Sequence, residues 1–383
     1  MPEFTILPPL SLYIHLPWCV KKCPYCDFNS HTFDEGLPEQ AYLDALIKDL
    51  EYQLPGIWGR RVVSVFIGGG TPSLFSAESI NKLISTLRSY LNCLPNMEIT
   101  MEANPGTVEQ GKFNEFFSAG VNRLSIGVQS FEDEKLRALG RIHSAAEAHK
   151  AMQVAVNAGF ENINLDLMFG LPGQSVEQGL NDLQQAIALS PKHISWYQLT
   201  IEPNTVFYSR PPEVPPEDDI WALQEQGQSL LADAGFQQYE VSAYAQAGQQ
   251  CEHNLNYWTF GDYLALGAGA HGKLSRSDNG DIRRYWQLRQ PRAYMQASPA
   301  EKTSGFEVLQ AEQIVFEFML NALRLKQGFE LQDFERNTGL KAELVKDRCA
   351  AAIEDGLLVM QDGLYRPTER GYLFLNDLVN RFS

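Results

Sequence analysis

Six times in the first 245 residues, a short apolar, β-branched run gives way to a polar or glycine-rich turn or a stretch of helical period. The runs are SLYIHL (11–16), VVSVFIG (62–68), EITMEA (98–103), RLSIGVQ (123–129), NINLDLMFG (162–170) and HISWYQLT (193–200). Amphipathic patterns lie between them, such as PEQAYLDALIKDLEYQL (38–54), SAESINKLISTLRSYL (76–91) and SVEQGLNDLQQAIAL (175–189). Strands that alternate with helices imply a parallel sheet, because a helical crossover returns the chain in the same direction. The unusual residues crowd the strand ends. Cysteines follow the first run and GGGTPS (68–73) the second; Glu102 and Gln129 end the third and fourth, Asp166 lies in the fifth, and TIEPNT (200–205) follows the sixth. In a barrel of parallel strands the C-terminal ends converge on one face, where active sites form. The expectation is therefore an α/β fold, a (β/α)6 partial barrel, with its chemistry on one rim.

The segment YIHLPWCVKKCPYCDFNSH (13–31) places Cys19, Cys23 and Cys26 at C-x3-C-x2-C spacing, with Phe28 two positions further on. Structural zinc wants four protein ligands, and His31 offers a fourth. A redox pair of Cys23 and Cys26 leaves Cys19 without a role. A [4Fe–4S] cluster held by three thiolates keeps one iron open for an outside ligand. A small molecule with an amine and a carboxylate, such as S-adenosylmethionine, can chelate that iron. The other strand ends then acquire roles. Gly68, Gly69 and Gly70 let backbone approach a ligand's amino group. Glu102, Gln129 and Asp166 suit ribose hydroxyls and amine, and Arg141 in LGRIH suits a carboxylate through paired N–H bonds. No Lys-Ser/Thr follows the glycines, which argues against a P-loop.

Charge and cysteine usage narrow the setting. A formal charge of −16 argues against an electrostatic grip on nucleic acid or anionic lipid. The N-terminal residues carry no secretory pattern, and no apolar run is long enough to span a bilayer. Six cysteines, half of them clustered, fit a metal site in a reducing cytoplasm better than a disulfide framework.

These segments, with GVQSF, LGRIH and NLDLMFGLP, resemble the radical S-adenosylmethionine (SAM) enzymes related to oxygen-independent coproporphyrinogen III oxidase. The likeness runs across essentially the whole chain. It implies that Cys19, Cys23 and Cys26 bind [4Fe–4S], and that Tyr13, Tyr25, Gly69, Gly70, Thr71, Glu102, Gln129, Arg141 and Asp166 contact SAM. The oxidases read C-x3-C-x2-C-x-C, where this chain has Phe28. HNLNYW (253–258) instead resembles the heme-chaperone branch of the family. That branch implies heme binding and delivery to heme-requiring respiratory proteins, membrane-bound ones among them, without coproporphyrinogen conversion. The setting is then cytoplasmic, with a peripheral place at the inner membrane face allowed. Oxidative decarboxylation of coproporphyrinogen III is the alternative. His253 is the first heme-ligand candidate, with Tyr257 and Trp258 packing on the macrocycle, while Cys251 and His271 in LGAGAHGK compete. A lone histidine among aromatics is as readily a packed core residue.

The texture changes after residue 290. Pro, Gly and Ser cluster at 291–305, so a barrel domain over 1–290 and a smaller domain over 300–383 are expected. Helical patterns at 312–325, 333–340 and 342–358, a hairpin around Asp362-Gly363, and a last helix at 369–382 suggest a mostly helical, winged-helix-like module. From residue 301 there are 10 Lys and Arg against 14 Asp and Glu, a net of −4, so nucleic acid is not an expected partner.

Overall fold

Along the first strand, Leu10, Leu12, Ile14 and Leu16 alternate with Ser11, Tyr13 and His15, and strand geometry sends the two sets to opposite faces. The computed structural model, which describes residues 2–33, 36–106 and 111–383, shows what each face meets. Twelve strands form its main sheet among the described residues. They are β1 (Leu10–Leu16), β2 (Arg61–Gly69), β3 (Asn92–Ala103), β4 (Arg123–Gln129), β5 (Asn162–Phe169) and β6 (His193–Gln198), then β7 (Gln237–Glu240), β8 (Ala243–Ala245), β9 (Asp262–Leu266), β10 (His271–Arg276), β11 (Asp281–Gln287) and β12 (Thr303–Val308). Their order is β12-β11-β10-β9-β1-β2-β3-β4-β5-β6-β8-β7.

Strands β1 to β6 pair in sequence and in parallel, as the strand–helix alternation predicts, and β9 joins β1 in parallel as well. The flanking strands run antiparallel, and β12 and β7 remain unpaired edges, so the sheet does not close. One face is apolar: Ile14, Ile67, Ile99, Leu124, Leu165 and Ile194 belong to a single buried core. Helices Glu39–Ile57, Ala77–Tyr90, Ala145–Asn157 and Val176–Ala188 cover it. The last two start from Ser144 and Ser175, each closing a capping box that satisfies the first free N–H groups. The other face is polar. The register brings Tyr13, Glu102, Ser125, Asn164, Asp166 and Ser195 to it, so it lines a cavity rather than a core. Parallel strands buried on both faces read as continuous apolar runs; these alternate because only one face is packed.

Beyond β6 the structure adds elements that period reading passes over. HNLNYW lies in a helix, Glu252–Trp258, and LGAGAHGK spans the end of β9, a tight turn and the start of β10. The segment 291–305 contains helix Pro291–Gln296 and the start of β12, which pairs with β11. Helices Ala311–Ala322, Leu331–Thr338 and Glu343–Glu354 follow, with a three-stranded sheet whose hairpin turns at Asp362 (φ 55°) and Gly363 (φ 84°). Two successive positive φ values are the mark of a tight two-residue hairpin loop. The expected final helix at 369–382 is interrupted. Phe374, at φ −106° and ψ 46°, separates Glu369–Leu373 from Leu375–Asn380. Phe260 and Ile282 join Ile314, Phe318 and Phe334 in a second core, which seats this unit on the main sheet.

Candidate functional site

The loop after β1 carries the three cysteines, all as free thiols. It is held at its base, where Cys19 N–H donates to His31 O (2.9 Å) and His31 N–H to Pro17 O (2.7 Å). Cys19, Cys23 and Cys26 line one cavity of about 550 Å³ with Tyr25, Gly69, Gly70, Thr71, Glu102, Gln129, Arg141 and Asp166. Every residue expected at a SAM position therefore shares the cysteines' cavity except Tyr13, which lines the neighbouring one. Sequence reasoning passed over Asn104, Arg123, Ser195 and Tyr197, which line it too. Asn104 follows Glu102 in the same strand-end motif, and that position was the available signal.

Two cysteine sulfurs already receive hydrogen bonds. Thr71 Oγ1 donates to Cys19 Sγ (3.6 Å) and Arg141 Nη1 to Cys23 Sγ (3.8 Å). Hydrogen bonds to sulfur are a known control on iron–sulfur potential. Burial pushes the Cys19 and Cys26 thiols up. Among the described residues, no three His, Cys, Asp or Glu side chains gather as a single metal ion would require. A cubane cluster, which takes one thiolate per iron, does not ask this of them. Three soft donors on one cavity wall and a polar hollow beside them fit a [4Fe–4S] group.

The polar wall is interlocked. Arg141 Nη2 donates to Asn104 Oδ1 (2.6 Å) and Gly127 O (2.7 Å), while Asn104 Nδ2 donates to Thr71 Oγ1 (3.0 Å). Glu102 Oε2 accepts the Gly69 N–H (2.9 Å), yet burial, with Asp166 nearby, raises its carboxyl to about 7. Asp166 is also raised by burial, although Ser125 Oγ (2.9 Å) and Asn164 Nδ2 (2.8 Å) donate to it. Gln129 sits at φ 68° beside an irregularity in the β4–β5 pairing, and its Oε1 accepts from Tyr197 OH (2.9 Å). A non-glycine residue in that region costs energy and is held only by its surroundings.

The glycine turn has a second reason to exist. A Cβ on Gly70 would lie 2.5 Å from the Trp18 carbonyl oxygen, and one on Gly69 (φ +116°) 2.6 Å from the His15 ring. Close approach within the chain demands these glycines before any ligand does.

The heme candidates separate. His253 is 1% exposed; its Nδ1 hydrogen-bonds Ser64 Oγ (3.0 Å) and its Nε2 Tyr257 OH (2.9 Å). Burial lowers its pKa to about 3. Cys251 is fully buried, and burial raises its thiol to about 12. Glu98 secures this helix start, accepting the N–H groups of Glu252 (3.1 Å) and His253 (3.2 Å). Tyr257, Trp258 and His271 line the second cavity, of about 1070 Å³, which shares Asp27, Phe28, Gly69, Glu102 and Trp258 with the first.

Comparison with known proteins agrees with this architecture. The Radical SAM superfamily model matches residues 13–186 and the HemN C-terminal domain model residues 309–374. The chain is 51% identical to the heme chaperone HemW of Haemophilus influenzae and 50% identical to that of Escherichia coli, covering 98% of each chain in both cases. The Bacillus subtilis heme chaperone HemW is 35% identical over 97% of this chain and 98% of its own. Among solved structures, coproporphyrinogen III oxidase (HemN) from Escherichia coli superposes with a TM-score of 0.81, covering 98% of this chain and 90% of that one at 23% identity, a likeness of fold. No helix among the described residues is long and apolar enough to cross a membrane. The chain belongs to the HemW family of radical SAM proteins.

Proposed function

We propose that this protein binds heme and passes it to heme-requiring proteins, respiratory enzymes at the membrane among them, from the cytoplasmic side. The observation that carries the reading is a cysteine-lined cavity in which Phe28, 58% exposed, stands where the oxidases have a further cysteine. Cys19, Cys23 and Cys26 would hold the [4Fe–4S] cluster. Tyr25, Gly69, Gly70, Thr71, Glu102, Gln129 and Asp166 would surround SAM, Tyr13 would back Glu102 from the adjoining cavity, and Arg141 would face its carboxylate. When bound, cluster and SAM supply one-electron chemistry. The chain's own residues do the positioning. Arg141 and Thr71 direct N–H and O–H groups at cysteine sulfur, and Glu102 offers an acceptor beside the Gly69 backbone. The division into a cluster-bearing barrel over 1–290 and a smaller unit over 300–383 belongs to this reading, with the smaller unit as a docking element for recipients.

The test is anaerobic. Reconstituted protein is given coproporphyrinogen III with SAM and reductant, and separately, loaded with hemin, is mixed with an apo heme protein. The reading expects no protoporphyrinogen and a timed gain of heme by the acceptor. Protoporphyrinogen formation overturns it. Cys23→Ser is expected to lose iron and the broad visible absorbance of the cluster.

A further inference from the structure

The cavity of about 1070 Å³ holds none of the cysteines, and its volume reaches the upper end of ligand clefts. Much of its wall comes from one face of β9, β10 and β11. The antiparallel register sets His271 opposite Trp286, and Lys273 opposite both Arg284 and Tyr263. Cross-strand neighbours on one face stand close enough to act together. The Trp286 and His271 rings lie 6.3 Å apart. Tyr257 meets Tyr263 edge to face at 4.6 Å, which makes an aromatic floor.

Two imidazoles reach this cavity, and only one has nitrogen to spare. His15 Nε2–H donates to Asn29 O (2.8 Å), which leaves Nδ1 to accept the Tyr13 hydroxyl (2.9 Å). His271 is exposed to the cavity, and its ring makes no hydrogen bond among the described residues. Partial burial and the charges of Arg284 and Arg289 lower its pKa. Of the cations on the wall, Lys273 is paired with Asp262 and Arg284 with Glu317. Arg289 has no ion pair among the described residues. The hollow thus offers an aromatic lining, one free imidazole and one free guanidinium.

We propose that this second cavity is the heme seat, with His271 as the protein ligand to the heme iron and Arg289 taking a propionate. The proposal rests on the heme-handling reading above and adds the site. It also reassigns HNLNYW. His253 is spent on Ser64 and Tyr257, so it fixes the helix, while Tyr257 and Trp258 furnish cavity wall. Asp27, Phe28, Gly69, Glu102 and Trp258 are common to both cavities, so heme in this seat lies against the cluster and SAM compartment.

The experiment is an anaerobic hemin titration of the full chain with its cluster reconstituted, read at the Soret band and by magnetic circular dichroism for axial imidazole. Wild type is expected to saturate near one equivalent with an imidazole-ligated spectrum. His271→Ala is expected to bind at least about tenfold more weakly and lose that spectrum, and added imidazole should restore it. His253→Gln should keep the spectrum. His271 is exposed, so its replacement leaves the core intact; His271→Gln and far-ultraviolet circular dichroism guard against misfolding. If His271→Ala matches wild type in affinity and spectrum, the seat is refuted while heme handling stands. If wild type never saturates, heme handling itself fails, and the seat with it.

Discussion

Replacing Gly70 by alanine should damage the cysteine loop from behind. The added methyl would lie 2.5 Å from the Trp18 carbonyl oxygen and 2.8 Å from its carbonyl carbon and nitrogen, all backbone atoms. An ordinary carbon–oxygen contact needs roughly 3.4 Å or more, so one segment must retreat by most of an ångström. Neither is free to do so. Thr71 N–H donates to Trp18 O (2.7 Å), Gly70 N–H to Leu16 O (2.9 Å), and the Trp18 ring is buried edge-on against Tyr42 at 4.6 Å. Overpacking of this kind costs about 1–3 kcal/mol, and a backbone obstacle puts it in the upper half. The next residue after Trp18 is Cys19, so the strain falls on the first of the three clustered cysteines. Denaturant unfolding of the apo protein and iron and sulfide analysis after reconstitution give the two readouts. Both should fall in Gly70→Ala. Gly56→Ala is the control: it lies in a helix with nothing within 4 Å of the added carbon, so it should be neutral or stabilising by up to about 1 kcal/mol. A Gly70→Ala protein with wild-type stability and full iron would refute the close-approach argument.

Three further outcomes are expected. Burial holds His253 neutral down to about 3, whereas an unfolded histidine takes a proton near 6.5, so stability from this group is present above 6.5 and lost as pH falls toward 3. Between pH 7 and 5 wild type should lose on the order of 1–2 kcal/mol that His253→Gln does not lose; parallel melts with the same pH slope would refute this. Asp262 is fully buried and holds Arg60 (2.8 Å), Lys273 (3.1 Å) and Ser275, so Asp262→Ala strands a buried ammonium and should cost about 3–5 kcal/mol. Adding Lys273→Met should recover part of that loss, and no recovery in equilibrium unfolding would count against the buried-charge account. Phe28→Ala should change stability by no more than about 0.5 kcal/mol, given its 58% exposure, yet weaken hemin binding; an unchanged hemin titration would remove Phe28 from the shared wall.

The six parallel strands were legible because each carries its own signal. An apolar alternation, a turn and an amphipathic helix are local, and sheet pairing follows from them with little choice. The cysteine spacing was legible for the same reason, since the three cysteines lie within eight residues of one loop. Strands β7 to β12 were not read, because they are short or mixed in character and gain their place by docking on an existing sheet edge. Phe374 shows a similar limit. The pattern of 369–382 runs on as one helix, and the break at φ −106° appears only where the chain folds back to bury Leu378 and Val379.

The sequence alone determined that the cysteines and the polar strand-end residues would gather on one side of the sheet, since residue type and strand period are both local properties. It could not decide which histidine is free. His253, His15 and His271 look alike in a string of letters, and their difference lies in partners 189, 14 and 15 residues away: Ser64, Asn29 and Trp286. Hydrogen bonds spend a nitrogen's lone pair or proton, and which bonds form is set by the packing of distant strands. That packing leaves His271 alone with an unspent ring on the wall of the larger cavity.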